Sequence, residues 1–214
     1  MTLRLIDHLC RDHAQQAESR WPIAGDLRAL FDQCWECEHI TARLHPDGSY
    51  HIRSLPTLDF RTYDQLTALH ESAHAVLGLV ARMPLNYACI EPRTADLQIG
   101  FSGCVNWGDF SIPFDEWAAM CWAGQQAQMR WLAATGRNTA ANRVDVANLG
   151  WDDTRQVLES AAEHRISEDT GWDLCGERLD QHWASIERVA DALLAAARLS
   201  GAEIADLAGL EVAA

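Results

Sequence analysis

No run of Lys or Arg occurs in the 214 residues, and Asp plus Glu outnumber Lys plus Arg by 31 to 17, a formal charge of −14. Nucleic acids and anionic membrane surfaces reward clustered basic side chains, so neither is expected as a partner. Long apolar runs are missing too. The longest candidate, Ala73 to Ala81, ends after nine residues, about half of the roughly 18–20 that cross a bilayer. The stretch from Met1 to Trp21 mixes Arg, Asp and His and lacks the apolar centre of a secretory leader. The seven cysteines are odd in number and scattered, unlike a secreted disulfide scaffold, so reduced thiols in a soluble, cytoplasmic protein are expected. Internal repeats and low-complexity linkers are absent. What is present, 48% hydrophobic and 22% charged residues, is the make-up of a globular chain with one core or two small ones.

Apolar spacing divides the chain at about residue 60. In residues 1–60, Leu3, Ile6, Leu9 and Cys10, then Leu27, Leu30, Phe31 and Trp35, follow helical spacing. His45-Pro46-Asp47-Gly48 between strand-like flanks then predicts a β-hairpin. In residues 61–214, Leu66, Leu69, Ala73, Val76, Leu77 and Val80 mark a helix, with Thr62 as its expected cap and Pro84 as its stop. Tyr87 to Glu91 and Leu97 to Val105 are β-like, and Gly100 and Gly103 suggest close backbone approach. Phe114 to Ala134, Trp151 to Glu163 and Leu179 to Leu199 are expected helices, with a last short turn after Gly201. The fold class expected is mainly α with a small β-sheet.

One motif carries chemistry. His70-Glu71-Ser72-Ala73-His74 is an H-E-x-x-H sequence inside the first of these helices. A separation of four residues puts both imidazoles on one face, a turn apart, where they can bind one metal ion. Zinc suits such ligands, and a catalytic site needs a third protein ligand plus a water. Glu71, beside the first ligand, can take a proton from that water. Two solvated histidines would be the bland account, but the apolar flanks favour a buried helix, and buried His and Glu need a reason. The H-E-x-x-H-x-x-G-x-x-H continuation fails at Leu77 and Val80; Glu91 falls in a strand-like stretch and Glu116 starts a helix. Asp152 and Asp153 head a later helix, and Asp153 shares its face with Val157 and Ala161, whereas Asp152 shares its face with Gln156. Both acids also suit a helix N-terminus without any metal, so spacing favours Asp153 over Asp152 and leaves open whether either is a ligand.

An ordered set of blocks resembles the peptidase domain of the FtsH family, the membrane-anchored AAA+ zinc proteases. His70-Glu71-Ser72-Ala73-His74-Ala75-Val76 is similar to its H-E-A-G-H-A block, and Ile90-Glu91-Pro92-Arg93 with Gly100-Phe101 to its I-x-P-R-G…G-Y segment. Ala123-Gly124-Gln125-Gln126-Ala127-Gln128 corresponds to its G-G-R-x-A-E helix, and Asp152-Asp153 to its N-D pair. Val189 to Leu207, containing Leu199-Ser200-Gly201-Ala202-Glu203-Ile204, is similar to its A-x-x-L-L…L-x-G-x-E-I tail. The resemblance spans about residues 66 to 207 in order. It implies a zincin-like peptidase domain with zinc as cofactor, His70, His74 and Asp153 as ligands and Glu71 as general base. It also implies an edge strand around Leu97, Gly100 and Phe101 that holds an extended peptide by main-chain pairing. Gln128 stands where that family has glutamate; its amide can still orient an imidazole, without the negative charge. Residues 1–60 are too few for an ATPase module and hold no apolar run of membrane-spanning length, so the implied substrates are short peptides, unstructured tails or chains presented by a partner.

Other features have ordinary accounts beside the sharper ones. Cys10-x-x-His13 and Cys34-x-x-Cys37 have the spacing of a second zinc site but also suit small core residues. Trp107, Trp117, Trp122, Trp131 and Trp151 cluster around the expected site, where core packing competes with lining a cleft. Two alternatives to a peptidase are hydrolysis of a small non-peptide amide and a non-catalytic, metal-stabilised adaptor; a homo-oligomer is compatible with each.

Overall fold

The computed structural model describes residues 40–44, 50–54, 60–90, 103–139, 142–143, 146–147, 150–167 and 169–211. Residues 1–39, with Cys10, His13, Cys34 and Cys37, lie outside the described residues, as do Leu97, Gly100 and Phe101. The central element is helix α1 (Phe60–Val80). Every residue from 66 to 79 is buried, which requires enclosure on all faces rather than on one stripe. The apolar set Leu66, Leu69, Ala73, Val76 and Leu77 lies in the core as its spacing predicts. Thr62 is not the cap. The helix begins two residues earlier, and the buried Thr62 hydroxyl accepts a hydrogen bond from Arg137 Nη1 at 2.8 Å. At the other end Arg82 turns left-handed (φ 63°) and the Met83 N–H returns to the Gly78 carbonyl, so the stop precedes Pro84.

Two long helices, one short helix and a small sheet enclose α1. Helix α2 (Phe114–Ala134) presents Ala119, Ala123 and Ala127 at four-residue spacing, and small side chains let two helix backbones approach closely. Helix α3 (Trp151–His164) packs on α2, and the long α4 (Trp172–Ala196) packs on both α1 and α2. Helix α4 starts seven residues earlier than its apolar pattern predicts and ends at Ala197, left-handed at φ 61°. The expected continuation to Leu199 is instead a strand, and Gly201 begins α5 (Gly201–Ala208) rather than breaking α4. A capping box made by Ser200 and Glu203 starts α5.

The sheet has β3 (Leu85–Ile90) in the middle, with β4 (Gly103–Trp107) and β5 (Arg198–Ser200) antiparallel on its two sides. Among the described residues β4 is therefore an edge strand. Strands β1 (Ile40–Leu44) and β2 (Tyr50–Ser54) form the hairpin that the turn sequence predicts, pairing Leu44 with Tyr50. The described chain is thus mainly α with a small β-sheet, and none of its helices is long and apolar enough to cross a membrane.

Leu77 is 1% exposed at the centre of this packing. Leu77→Ala is expected to lower the unfolding free energy by about 2–5 kcal/mol. Chemical denaturation measures this, and a loss within the roughly 0.5 kcal/mol of a surface site would contradict the enclosure of α1.

Candidate metal centre

The sequence brings two imidazoles and one carboxylate together from elements 83 residues apart. On α1, His70 and His74 turn toward α2 and the first turn of α3, and Asp153 enters from α3. His70 Nε2 and His74 Nε2 are 2.9 Å apart, and Asp153 Oδ2 lies 3.1 Å from the first and 3.3 Å from the second. Asp152 stays at the rim of the same cleft, outside the converging group, its side chain 83% exposed and facing Arg155 at 3.5 Å. The helical face that Asp153 shares with the buried Val157 and Ala161 is what carries it inward.

Two groups position the histidines, and Gln128 bonds neither of them. His74 Nδ1–H donates to the Met120 carbonyl at 2.7 Å. A carbonyl oxygen only accepts, so Nδ1 carries a proton and Nε2 is the nitrogen that turns to the centre, able to release its own proton to a metal ion. A Cβ on Gly124 would overlap the His70 ring, so residue 124 must lack a side chain for α2 to sit where it does. Gln128, fully buried, donates from Nε2 to the Leu66 carbonyl at 3.0 Å. Its Oε1 and His70 Nδ1 are both buried without a partner among the described residues.

Glu71, 8% exposed, lines the same cleft. Its carboxylate abuts Gly103 of β4, where an added Cβ would collide with it. That is the close backbone approach that the glycine suggested. Burial raises the Glu71 pKa, against the pull of His70 and His74, and the Asp153 charge adds to the rise. For Asp153 the balance reverses: burial opposes ionisation, but the His74 charge and hydrogen bonds from both histidines hold its carboxyl well below the usual range. Burial likewise opposes charge on His74, yet the Asp153 carboxylate, with Glu71 and the Met120 carbonyl, raises it from 6.5 to about 9.

The donor set fits a cation. Three lone-pair donors within 3.3 Å of one another repel unless a positive charge lies among them. Tetrahedral zinc with Zn–N near 2.0–2.1 Å sets its ligand atoms about 3.3 Å apart, close to all three separations. These residues form the sole group of three or more His, Cys, Asp or Glu among the described residues that could hold a metal ion.

A cleft of about 430 Å³ opens over the centre. Gly103, Cys104, Val105 and Trp107 of β4 form one wall, and Phe110 and Trp117 add aromatic surface. Of the clustered tryptophans, Trp107 and Trp117 line the cleft, whereas Trp122 is buried and meets Trp172 edge to face. Trp131 instead lies under the Arg137 guanidinium. His164 sits at the end of α3, its Nδ1–H donating to the Ser160 carbonyl, away from the cleft. No family model matches the chain, and no curated protein matches it.

Gly124→Ala is expected to push the His70 ring aside and weaken zinc binding about 10- to 100-fold, whereas Gly103→Ala, which meets Glu71 instead, should leave affinity near wild type. Calorimetric titration with zinc compares them, and equal losses in both would contradict the separate placements. The raised pKa of His74 makes a second prediction. In the metal-free protein its stabilising effect is complete below about 6.5 and lost as pH rises through about 9. Zinc must displace that proton, so affinity should rise up to about tenfold per pH unit toward pH 9. Asp153, already ionised, releases none. An affinity flat between pH 6.5 and 9 would contradict the assignment.

Proposed function

We propose that the chain is a zinc metallopeptidase that hydrolyses peptide bonds of short or unstructured polypeptides. The observation that carries this reading is the convergence of His70 Nε2, His74 Nε2 and Asp153 Oδ2 with the buried Glu71 carboxylate in one cleft walled by an edge strand. His70, His74 and Asp153 would hold the ion. Zinc, when bound, supplies a Lewis acid that polarises the scissile carbonyl and makes the attacking water more acidic. Glu71 Oε accepts the proton of that water and returns it to the leaving amine nitrogen, acting as base and then acid. The backbone of β4, an edge strand among the described residues, pairs with an extended polypeptide of any sequence. Trp107, Phe110 and Trp117 then meet the side chains that alternate toward the cleft.

A cleft of about 430 Å³ admits a few residues of extended chain and not a folded domain, which supports the substrate class. The ordered resemblance to the FtsH peptidase domain supports the same chemistry. The four described cysteines are free thiols, which supports the cytoplasmic setting proposed with it. Hydrolysis of a small non-peptide amide is the second reading, favoured by a cleft volume within the range of small-molecule sites, roughly 300–1,000 Å³.

The test is mass spectrometry of a mixed unstructured-peptide library incubated with wild type, chelated wild type and Glu71→Gln. Fragments are expected from untreated wild type alone, with Glu71→Gln slower by about 100- to 10,000-fold while retaining its metal and fold. Equal rates for Glu71→Gln and wild type would contradict the role of Glu71. An untouched library with turnover of a small amide would replace the peptidase by the second reading.

A further inference from the structure

Two thiols beside the centre have no part in the chemistry above. Cys89 of β3 and Cys104 of β4 are direct cross-strand partners, and their sulfur atoms lie 2.7 Å apart. Both are free thiols; Cys104 is exposed and Cys89 partly so, whereas Cys121 and Cys175 are buried. Directly opposed residues of an antiparallel pair have Cα atoms about 4.5–5.5 Å apart, inside the range of about 4.4–6.8 Å that a disulfide spans. Bond formation therefore needs only side-chain rotation and about 0.7 Å of approach to the bonded distance of about 2.05 Å, with the strands already in register.

We propose that Cys89 and Cys104 are a redox modification site, closed by small-molecule disulfides such as oxidised glutathione and reopened by dithiols. The proposal stands apart from the peptidase reading, because it rests on the sheet and not on the metal. In the forward direction the deprotonated sulfur of one cysteine attacks the glutathione disulfide and expels one glutathione thiolate. The second cysteine sulfur then attacks the protein–glutathione mixed disulfide, forms the Cys89–Cys104 bond and expels the other glutathione. Two protein thiols are oxidised, one disulfide is reduced to two glutathione thiols, and the two protons pass to those thiols.

The pair differs from a fast sensor. Partial loss of water, with the Cys89 thiol and then the Glu71 carboxylate beside it, holds the Cys104 thiol up at about 12, so little thiolate exists at neutral pH and exchange is slow. What geometry favours is the closed state once reached. Its structural consequence falls on the cleft. Gly103 abuts the Glu71 carboxylate, and Cys104 and Val105 line the wall, so a bond from Cys104 to the central strand fixes that wall against α1. It also closes a loop of the 14 intervening residues.

The experiment treats the full chain with millimolar oxidised glutathione at about pH 8.5, blocks remaining thiols by alkylation, and maps the linked peptides by mass spectrometry. A Cys89–Cys104 cross-link is expected as the main product, together with a melting temperature raised by about 5–10 °C and restored by dithiothreitol. Cys89→Ser and Cys104→Ser should each abolish that shift. Recovery of both cysteines alkylated, or of Cys104 linked chiefly to another cysteine, would overturn the proposal, as would a cross-link that leaves the melting temperature unchanged. If either serine variant fails to fold, the peptide map of the wild-type chain decides by itself.

Discussion

Three lone-pair donors held within 3.3 Å of one another, two of them on buried imidazoles, set the constraint that the rest of this structure obeys. Both imidazoles are buried, so the repulsion among them is screened less than it would be on a surface. Either a proton or a metal ion must sit among them, and the fold supplies the charge balance for both. The Asp153 carboxylate neutralises a protonated His74 in the metal-free protein, and the same oxygen completes a three-donor face for a cation. The polar cluster on α1 would otherwise carry a large burial cost in the middle of an apolar core. Its presence on a helix buried from residue 66 to 79, at the floor of a cleft, is the reason to read it as a site and not as an accident of composition.

The neighbouring elements are shaped by the need to approach that cluster. Helix α2 comes close enough for the Met120 carbonyl to fix the His74 tautomer because its facing residues are alanine and Gly124. Strand β4 reaches the Glu71 carboxylate because residue 103 is glycine. Helix α3 delivers Asp153 through its first turn, while its neighbour Asp152 points to solvent and Arg155. Ligands, base and cleft wall thus come from α1, α3 and β4, with α2 as the backing that orients them.

Much of this was legible in the chain. A four-residue spacing determines that His70 and His74 share a face in any α-helix, and the flanking apolar residues determine that the face is buried. Periodicity favoured Asp153 over Asp152 for the same reason, since Val157 and Ala161 follow on its face. Helix α2 matches its expected limits, Phe114 to Ala134. The rest depended on contacts that spacing does not encode. A main-chain carbonyl such as that of Met120 has no signature in residue type. The Thr62 hydroxyl, expected to cap its own helix, is instead satisfied by Arg137, 75 residues away. The end of α4 became strand β5 because its backbone pairs with β3, a long-range gain that outweighs the helical preference of an Ala-rich stretch. The peptide-binding stretch expected at Leu97, Gly100 and Phe101 lies outside the described residues, and the described wall of the cleft is the strand that follows it.

The most direct measurement is the zinc stoichiometry of the purified chain by elemental mass spectrometry, for wild type, Asp153→Ala and Asp152→Ala side by side. The centre derived from α1 and α3 predicts one zinc per chain in wild type and Asp152→Ala, and loss of it in Asp153→Ala with the helical content preserved. Full zinc in Asp153→Ala, or no zinc in a folded wild-type chain reconstituted with excess metal, would contradict the account.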